Sequence, residues 1–202
     1  MTGASHESTL RPIRSVAVLG AGTMGAQIAA HVANAGLPVL LLDLDTDTAR
    51  SGLKRAAALK PDPFFTRETQ TRIRLGGFDR DLPEIAGCDW IIEAIIEDFD
   101  IKTKVLKEIS EIASGAIIAT NTSSLSVTEL GAACGCADRL VGMHFFNPAP
   151  IMPLVEVIKG AQSSEAAVQR AMLIAEAWGK TVVQVADTPG FIVNRVARPY
   201  YL

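Results

Sequence analysis

The chain has 202 residues, 49% of them hydrophobic and 20% charged, and a formal net charge of −3. That composition suits a folded domain with a sizeable core and excludes a disordered or fibrous chain. The near-neutral charge, without a basic run, argues against nucleic acid as a partner, and no apolar stretch approaches the roughly 18 residues that cross a bilayer.

From the start of the chain, residues 1–13 (MTGASHESTLRPI) are polar and lack the apolar centre of a signal peptide, so they read as a flexible leader. Residues 16–19 and 39–42 are short, continuous, β-rich runs, as parallel strands covered on both faces require. Between them, 23–35 reads as a helix. Ala26, Ala29, Ala30 and Ala33 give it one face small enough to lie close on a sheet, and Gly36 is a natural stop. Helical patterns follow at 45–59 and 66–75. Then come strand 90–93, helix 101–113, strand 116–120, short helix 126–133 and strand 140–145. Beyond a proline-rich turn lie strand 154–158, helix 164–178 and strand 181–185. Such alternation predicts an α/β fold over 14–187: a doubly wound, mostly parallel sheet of the Rossmann type. The last two strands follow a tight turn and are expected to run antiparallel to the rest. Asp187-Thr-Pro-Gly-Phe breaks the pattern. Residues 188–202 read as the start of a helix with nothing here to pack on, so the chain is expected to stop short of a further domain.

The three cysteines, an odd number, argue against a disulfide framework and for reduced thiols in the cytoplasm. Cys134 and Cys136 form a CGC pair, but two thiolates are half a zinc site and no further His or Cys lies near. No metal is expected.

Gly20-Ala21-Gly22-Thr23-Met24-Gly25 follows the first strand and opens the first helix. Gly20 permits a tight turn, Gly22 lets a pyrophosphate approach the backbone, and Gly25 allows close helix–strand packing. The helix start then offers N–H groups to the phosphates. A glycine-rich turn alone is weak evidence. Here strand and helix flank it, and Asp43 ends the second strand, where a carboxylate accepts from the adenosine ribose hydroxyls. No Arg or Lys directly follows Asp43, which favours NAD over NADP. Glu93 and Glu97 lie past the next strand, and Asn121, Thr122, Ser123 and Ser124 past the one after, at the sheet edge where ligands bind. Capping of the following helix by Ser124 or Ser126 is the alternative use of that loop.

His144 ends a strand on the same edge. A lone histidine beside an apolar run is more often packed core than catalyst. Yet positions 144 and 156 are equidistant from Pro150, so a chain reversal there sets His144 against Glu156. A carboxylate on one ring nitrogen fixes the tautomer and raises basicity at the other. His6 lies in the leader, and His31 lies among the helix alanines, where partial exposure is expected. Neither is placed for chemistry.

With these residues in view, the chain from about Arg14 onward resembles the NAD-binding domain of L-3-hydroxyacyl-CoA dehydrogenases. The motifs that carry the likeness are GAGTMG with Asp43, EAIIED with Lys102, ATNTSSLSVTEL, GMHFFNPAPIMPLVEVI and DTPGFIVNR. The region before Trp90 is shorter than the helical tail of the small mitochondrial type and looks more like the long, multi-part members. The resemblance implies NAD-dependent oxidation of an acyl-CoA substrate, with His144 as general base and Glu156 as its partner. It implies that Ser123 and Asn194 bind the substrate's C3 oxygen, and that Glu97, Lys102, Ser123 and Asn147 contact the nicotinamide half of NAD. It further implies an all-helical C-terminal domain that completes the acyl pocket and forms a homodimer. This chain is therefore expected to bind NAD and to turn over acyl-CoA weakly or not at all. Arg50, Lys54 and Arg55 are candidates for coenzyme A contacts. Two alternatives stay open: a related hydroxy-acid or gulonate dehydrogenase on the same scaffold, and a non-catalytic NAD-binding module.

Overall fold

A computed structural model describes residues 12–197 and Tyr200; residues 1–11, which include His6 and most of the leader, lie outside the described residues, as do 198, 199, 201 and 202. The strands are β1 (Val16–Leu19), β2 (Val39–Asp43), β3 (Ile73–Gly77), β4 (Trp90–Glu93), β5 (Ile117–Thr120), β6 (Leu140–Phe145), β7 (Leu154–Lys159) and β8 (Thr181–Ala186). They form one sheet in the order β3-β2-β1-β4-β5-β6-β7-β8. The strands from β3 to β6 pair in parallel. β7 turns back antiparallel on β6, and β8 follows β7 in parallel, so the last two strands run against the rest, as expected.

The helices are α1 (Thr23–Asn34), α2 (Thr46–Ala57), α3 (Arg67–Thr71), α4 (Phe78–Asp81), α5 (Phe99–Ile112), α6 (Val127–Cys134), α7 (Glu165–Ala177) and α8 (Val193–Ala197), with a 3-10 segment at Leu82–Gly87. Alternate strand residues serve two cores. Val16, Val18, Val39 and Leu41 pack with Ile28, Ala29 and Ala30 of α1 and Val168 and Ala171 of α7. Ala17, Leu19, Leu40 and Leu42 face the other way, in the layer that holds Leu106 and Ile109 of α5 and Leu130 of α6. Burying each large side chain stabilises by about 1.5–3 kcal/mol, which is why both faces of a central strand read as continuous apolar runs.

Side chains fix where most of the longer helices begin. Asp45 accepts from Thr48 N (2.7 Å), Asp98 from Ile101 N (2.9 Å), Ser126 from Glu129 N (3.2 Å) and Ser164 from Ala167 N (3.3 Å). Each such cap contributes about 1 kcal/mol. α1 is the exception: its N-cap is Gly22, with no side-chain cap.

Two expectations need correcting. Residues 73–75 are strand, not the end of a helix. Ile73 is buried, Arg74 exposed and Leu75 half-buried, an alternation that a charged helical background masked, and Gly76 and Gly77 finish the edge strand tightly against Asp81 and Asp45. His31 is buried (5% exposed), on the face of α1 that packs on the sheet.

Candidate functional site

A cavity of about 980 Å³ opens over the C-terminal ends of β1, β4, β5 and β6. At one end lies the glycine turn. Gly20 adopts φ +97°, which an L side chain rarely adopts, and a Cβ at Gly25 would collide with the Gly20 carbonyl oxygen. A Cβ at Gly22 would meet no protein atom, since Gly22 faces the cavity itself. Asp43 is fixed by its own surroundings: Oδ2 accepts from Ala21 N (2.6 Å) and Oδ1 from Leu44 N (2.7 Å). An uncapped helix start that offers N–H donors beside a glycine turn, with a held carboxylate acceptor at the end of the next strand, fits a dinucleotide.

The middle of the cavity is walled by the turns after β4 and β5. Glu97 Oε1 accepts from Thr122 Oγ1 (2.7 Å), Ser123 N (2.7 Å), Ser124 N (3.0 Å) and Ser124 Oγ (3.1 Å). Burial alone would raise the Glu97 carboxyl. The donors from Thr122, Ser123 and Ser124, together with the Lys102 ammonium, outweigh burial and hold it below the usual carboxylate range. Lys102, 1% exposed, is not on the cavity wall. Its Nζ lies 2.6 Å from Glu93 Oε1, 3.3 Å from the Ile95 carbonyl and 3.4 Å from Glu97 Oε2. Glu93, fully buried, also accepts from Thr120 Oγ1 (2.6 Å) and Ile95 N (2.8 Å). Glu93 therefore anchors β4 to β5 and α5 and does not face the cavity.

At the far end, the β6–β7 reversal sets His144 directly opposite Glu156. Nδ1 of His144 lies 2.8 Å from Glu156 Oε2. Because a carboxylate accepts, Nδ1 carries the hydrogen, and in the neutral ring the lone pair is left on Nε2. The ring packs against Phe146 (centroids 4.6 Å apart) and Phe191 (5.6 Å). The other carboxylate oxygen, Glu156 Oε1, accepts from Ile192 N and Val193 N, each at 2.9 Å. Phe191, at φ +51°, makes the turn that presents those amides, and Asn194 one residue further lines the cavity.

Gly20, Gly22, Thr23, Met24, Asp43, Glu97, Ser123, His144, Asn147 and Asn194 thus share one cavity wall. Ala21, Gly25, Lys102 and Glu156 stand behind it, and Ser126, not Ser124, caps α6. Arg50, Lys54 and Arg55 project from α2 and do not line the cavity. Sequence reasoning missed Gln27, fully buried on α1, which donates to Asn147 Oδ1 and accepts from Ala149 N. An amide beside a run of packed alanines was the signal. It missed also two exposed apolar side chains that line the cavity, Ile96 just past β4 and Ile101 in the first turn of α5. Cys134 and Cys136 bring their sulfurs to 2.8 Å, yet among the described residues no three His, Cys, Asp or Glu side chains gather as a metal site.

Residues 15–188 match the family described as 3-hydroxyacyl-CoA dehydrogenase, NAD binding domain. The chain is 40% identical to the fatty acid oxidation complex subunit alpha of Acinetobacter baylyi over 99% of its own length and 29% of that protein's. Among solved structures it resembles the (S)-3-hydroxybutyryl-CoA dehydrogenase of Ralstonia eutropha, at 37% identity and a TM-score of 0.81, covering 94% of this chain and 69% of that one. It also resembles the 3-hydroxybutyryl-CoA dehydrogenase of Escherichia coli, at 35% identity and a TM-score of 0.82, covering 95% and 42%. The chain therefore spans under a third of the length of the curated relatives it matches.

Proposed function

The chain belongs to the 3-hydroxyacyl-CoA dehydrogenase family, whose NAD-binding domain it carries, and on that premise we propose that it serves the reversible, NAD-dependent oxidation of L-3-hydroxyacyl-CoA to 3-oxoacyl-CoA. The observation that carries the proposal is the 2.8 Å contact of His144 Nδ1 with Glu156 Oε2, placed in the same cavity as the glycine turn and Asp43. When bound, NAD supplies a nicotinamide ring that accepts hydride from the substrate carbon. His144 Nε2 takes the proton of the C3 hydroxyl. Glu156 holds the ring in the tautomer that leaves Nε2 free and stabilises the imidazolium that results. Ser123 and Asn194 orient the C3 oxygen, while Phe146 and Phe191 keep water from the imidazole. The glycine turn and Asp43 hold the cofactor's adenosine and pyrophosphate; Asn147, Ser123 and Glu97 hold its nicotinamide half, with Lys102 acting from behind through Glu97. The dimer contact implied by the resemblance is assigned to the helical domain, and the three unbridged cysteines support a reducing, cytoplasmic setting.

The test is turnover of 3-hydroxybutyryl-CoA with NAD, run on this chain with and without a helical domain of the family joined downstream. NAD binding is measured in parallel by calorimetry. His144→Gln is expected to lower turnover by at least about 10²-fold while NAD affinity stays near wild type. An active joined protein whose His144→Gln variant keeps the wild-type rate removes the histidine from the chemistry. NAD binding without turnover of any hydroxyacyl-CoA in either form makes the domain a binding module.

A further inference from the structure

Gln27 is fully buried on α1, whereas Asn147 is exposed to the cavity. The two carboxamides touch, and a backbone group settles which way each points. The Ala149 N–H can only donate, and it meets Gln27 Oε1 at 3.0 Å. The other end of that carboxamide, Nε2, therefore faces Asn147, and at 3.0 Å it donates to Oδ1. With its oxygen taken from behind, Asn147 turns its NH2 toward the cavity. The same device recurs on the same wall, where Phe145 N donates to Asn121 Oδ1 at 3.0 Å. A carboxamide is nearly symmetric in shape but opposite in polarity at its two ends, so an unheld Asn147 could present either end.

We propose that Gln27 is a positioning residue: it fixes the sense of the Asn147 carboxamide so that the NH2 meets an acceptor oxygen in the nicotinamide half of the cofactor. The proposal rests on the assignment of Asn147 to that half. Gln27 itself touches no ligand. It acts through a buried relay that begins at a backbone amide two residues beyond Asn147.

The discriminating change is Gln27→Glu. The carboxylate still accepts from Ala149 N but has nothing to donate to Asn147 Oδ1. Asn147 must then swing its NH2 onto Glu at 27 and present its oxygen to the cavity, acceptor against acceptor. NAD affinity is measured by calorimetry for wild type, Gln27→Glu, Asn147→Ala and the double variant. Each single change is expected to weaken binding about tenfold, the scale of one hydrogen bond lost with its partner left unsatisfied. The double variant is expected to bind within about twofold of Asn147→Ala, because Gln27 has nothing left to position. A merely structural Gln27 would instead give the product of the two losses, and that result overturns the proposal. If Asn147→Ala leaves affinity unchanged, the assignment of Asn147 to the cofactor fails. If Asn147→Ala weakens binding while Gln27→Glu does not, the assignment stands and the polarity relay is wrong. Should Gln27→Glu not fold, the wild-type side-chain amide spectrum decides. NAD is expected to move the Asn147 NH2 resonances and to leave those of Gln27 in place and slow to exchange. Stationary Asn147 resonances, or a rapidly exchanging Gln27, refute the relay.

Discussion

Replacing Lys102 by Met tests how the cavity wall is held. Lys102 and Glu93 are 1% and 0% exposed and 2.6 Å apart. Met keeps the bulk of the side chain but removes the ammonium, leaving the Glu93 carboxylate buried with only Thr120 Oγ1 and Ile95 N as donors. Breaking one partner of a buried pair typically costs about 3–5 kcal/mol, most of it the cost of the stranded charge. Glu97 adds little to that cost, because a third of its side chain is exposed and the Thr122–Ser124 donors remain. For a chain of this size, about 3–5 kcal/mol lowers Tm by roughly 6–20 °C. Adding Glu93→Gln to Lys102→Met removes the stranded charge, and an amide can still accept from Ile95 N and donate to Thr120 Oγ1. The double variant is therefore expected to recover to within about 1–2 kcal/mol of wild type. The assay is urea unfolding of the four proteins in the cycle. A loss under about 1 kcal/mol for Lys102→Met, or a double variant that shows the sum of the two single losses, refutes this account of the wall.

Burial, and then the nearby charge of Lys180, lower the His31 pKa to about 3, so the folded chain keeps His31 neutral while the unfolded chain protonates near 6.5. Stability is then complete above pH 6.5 and falls by about 1.4 kcal/mol per unit as pH drops toward 3. His31→Leu is expected to flatten that slope, and urea midpoints at about pH 7 and pH 5 check it; an undiminished slope in the variant shows that other groups carry it. At the glycine-turn end of the cavity, Asp43 is expected to repel a 2′-phosphate, so NAD binds at least about tenfold more tightly than NADP, and Asp43→Ser narrows the gap. Calorimetric titration with both cofactors checks this, and equal or tighter NADP binding by wild type refutes it.

Where a residue's surroundings lie close in sequence, or follow a strict register, the sequence was readable. β1, β4 and β6 fall where their apolar runs end, because such strands are defined by burial on both faces. The opposition of His144 and Glu156 followed from counting across a proline turn, since an antiparallel pair leaves no other register once the reversal is placed. β3 was not legible: an edge strand needs only one covered face, and its alternation is too short to stand out from the helical pattern before it. Nor were Gln27 and Lys102 legible in their working positions. Gln27 gains its meaning from Asn147 and Ala149, far along the chain, and Lys102 is drawn inward by Glu93, whose burial depends on three elements meeting.

The carboxylate of Glu156 has two clients, the imidazole on one oxygen and a pair of amides at 192 and 193 on the other. The stretch that matches the NAD-binding domain ends at 188, short of those amides. The sheet and the amides that help set the histidine therefore lie on opposite sides of the end of that domain match. A hinge placed in the intervening residues, in nature or by an engineer splicing this sheet to a foreign partner, would leave every strand paired and still retune the imidazole. Grafts of this domain should be cut after the first turn of α8, not at the end of the sheet.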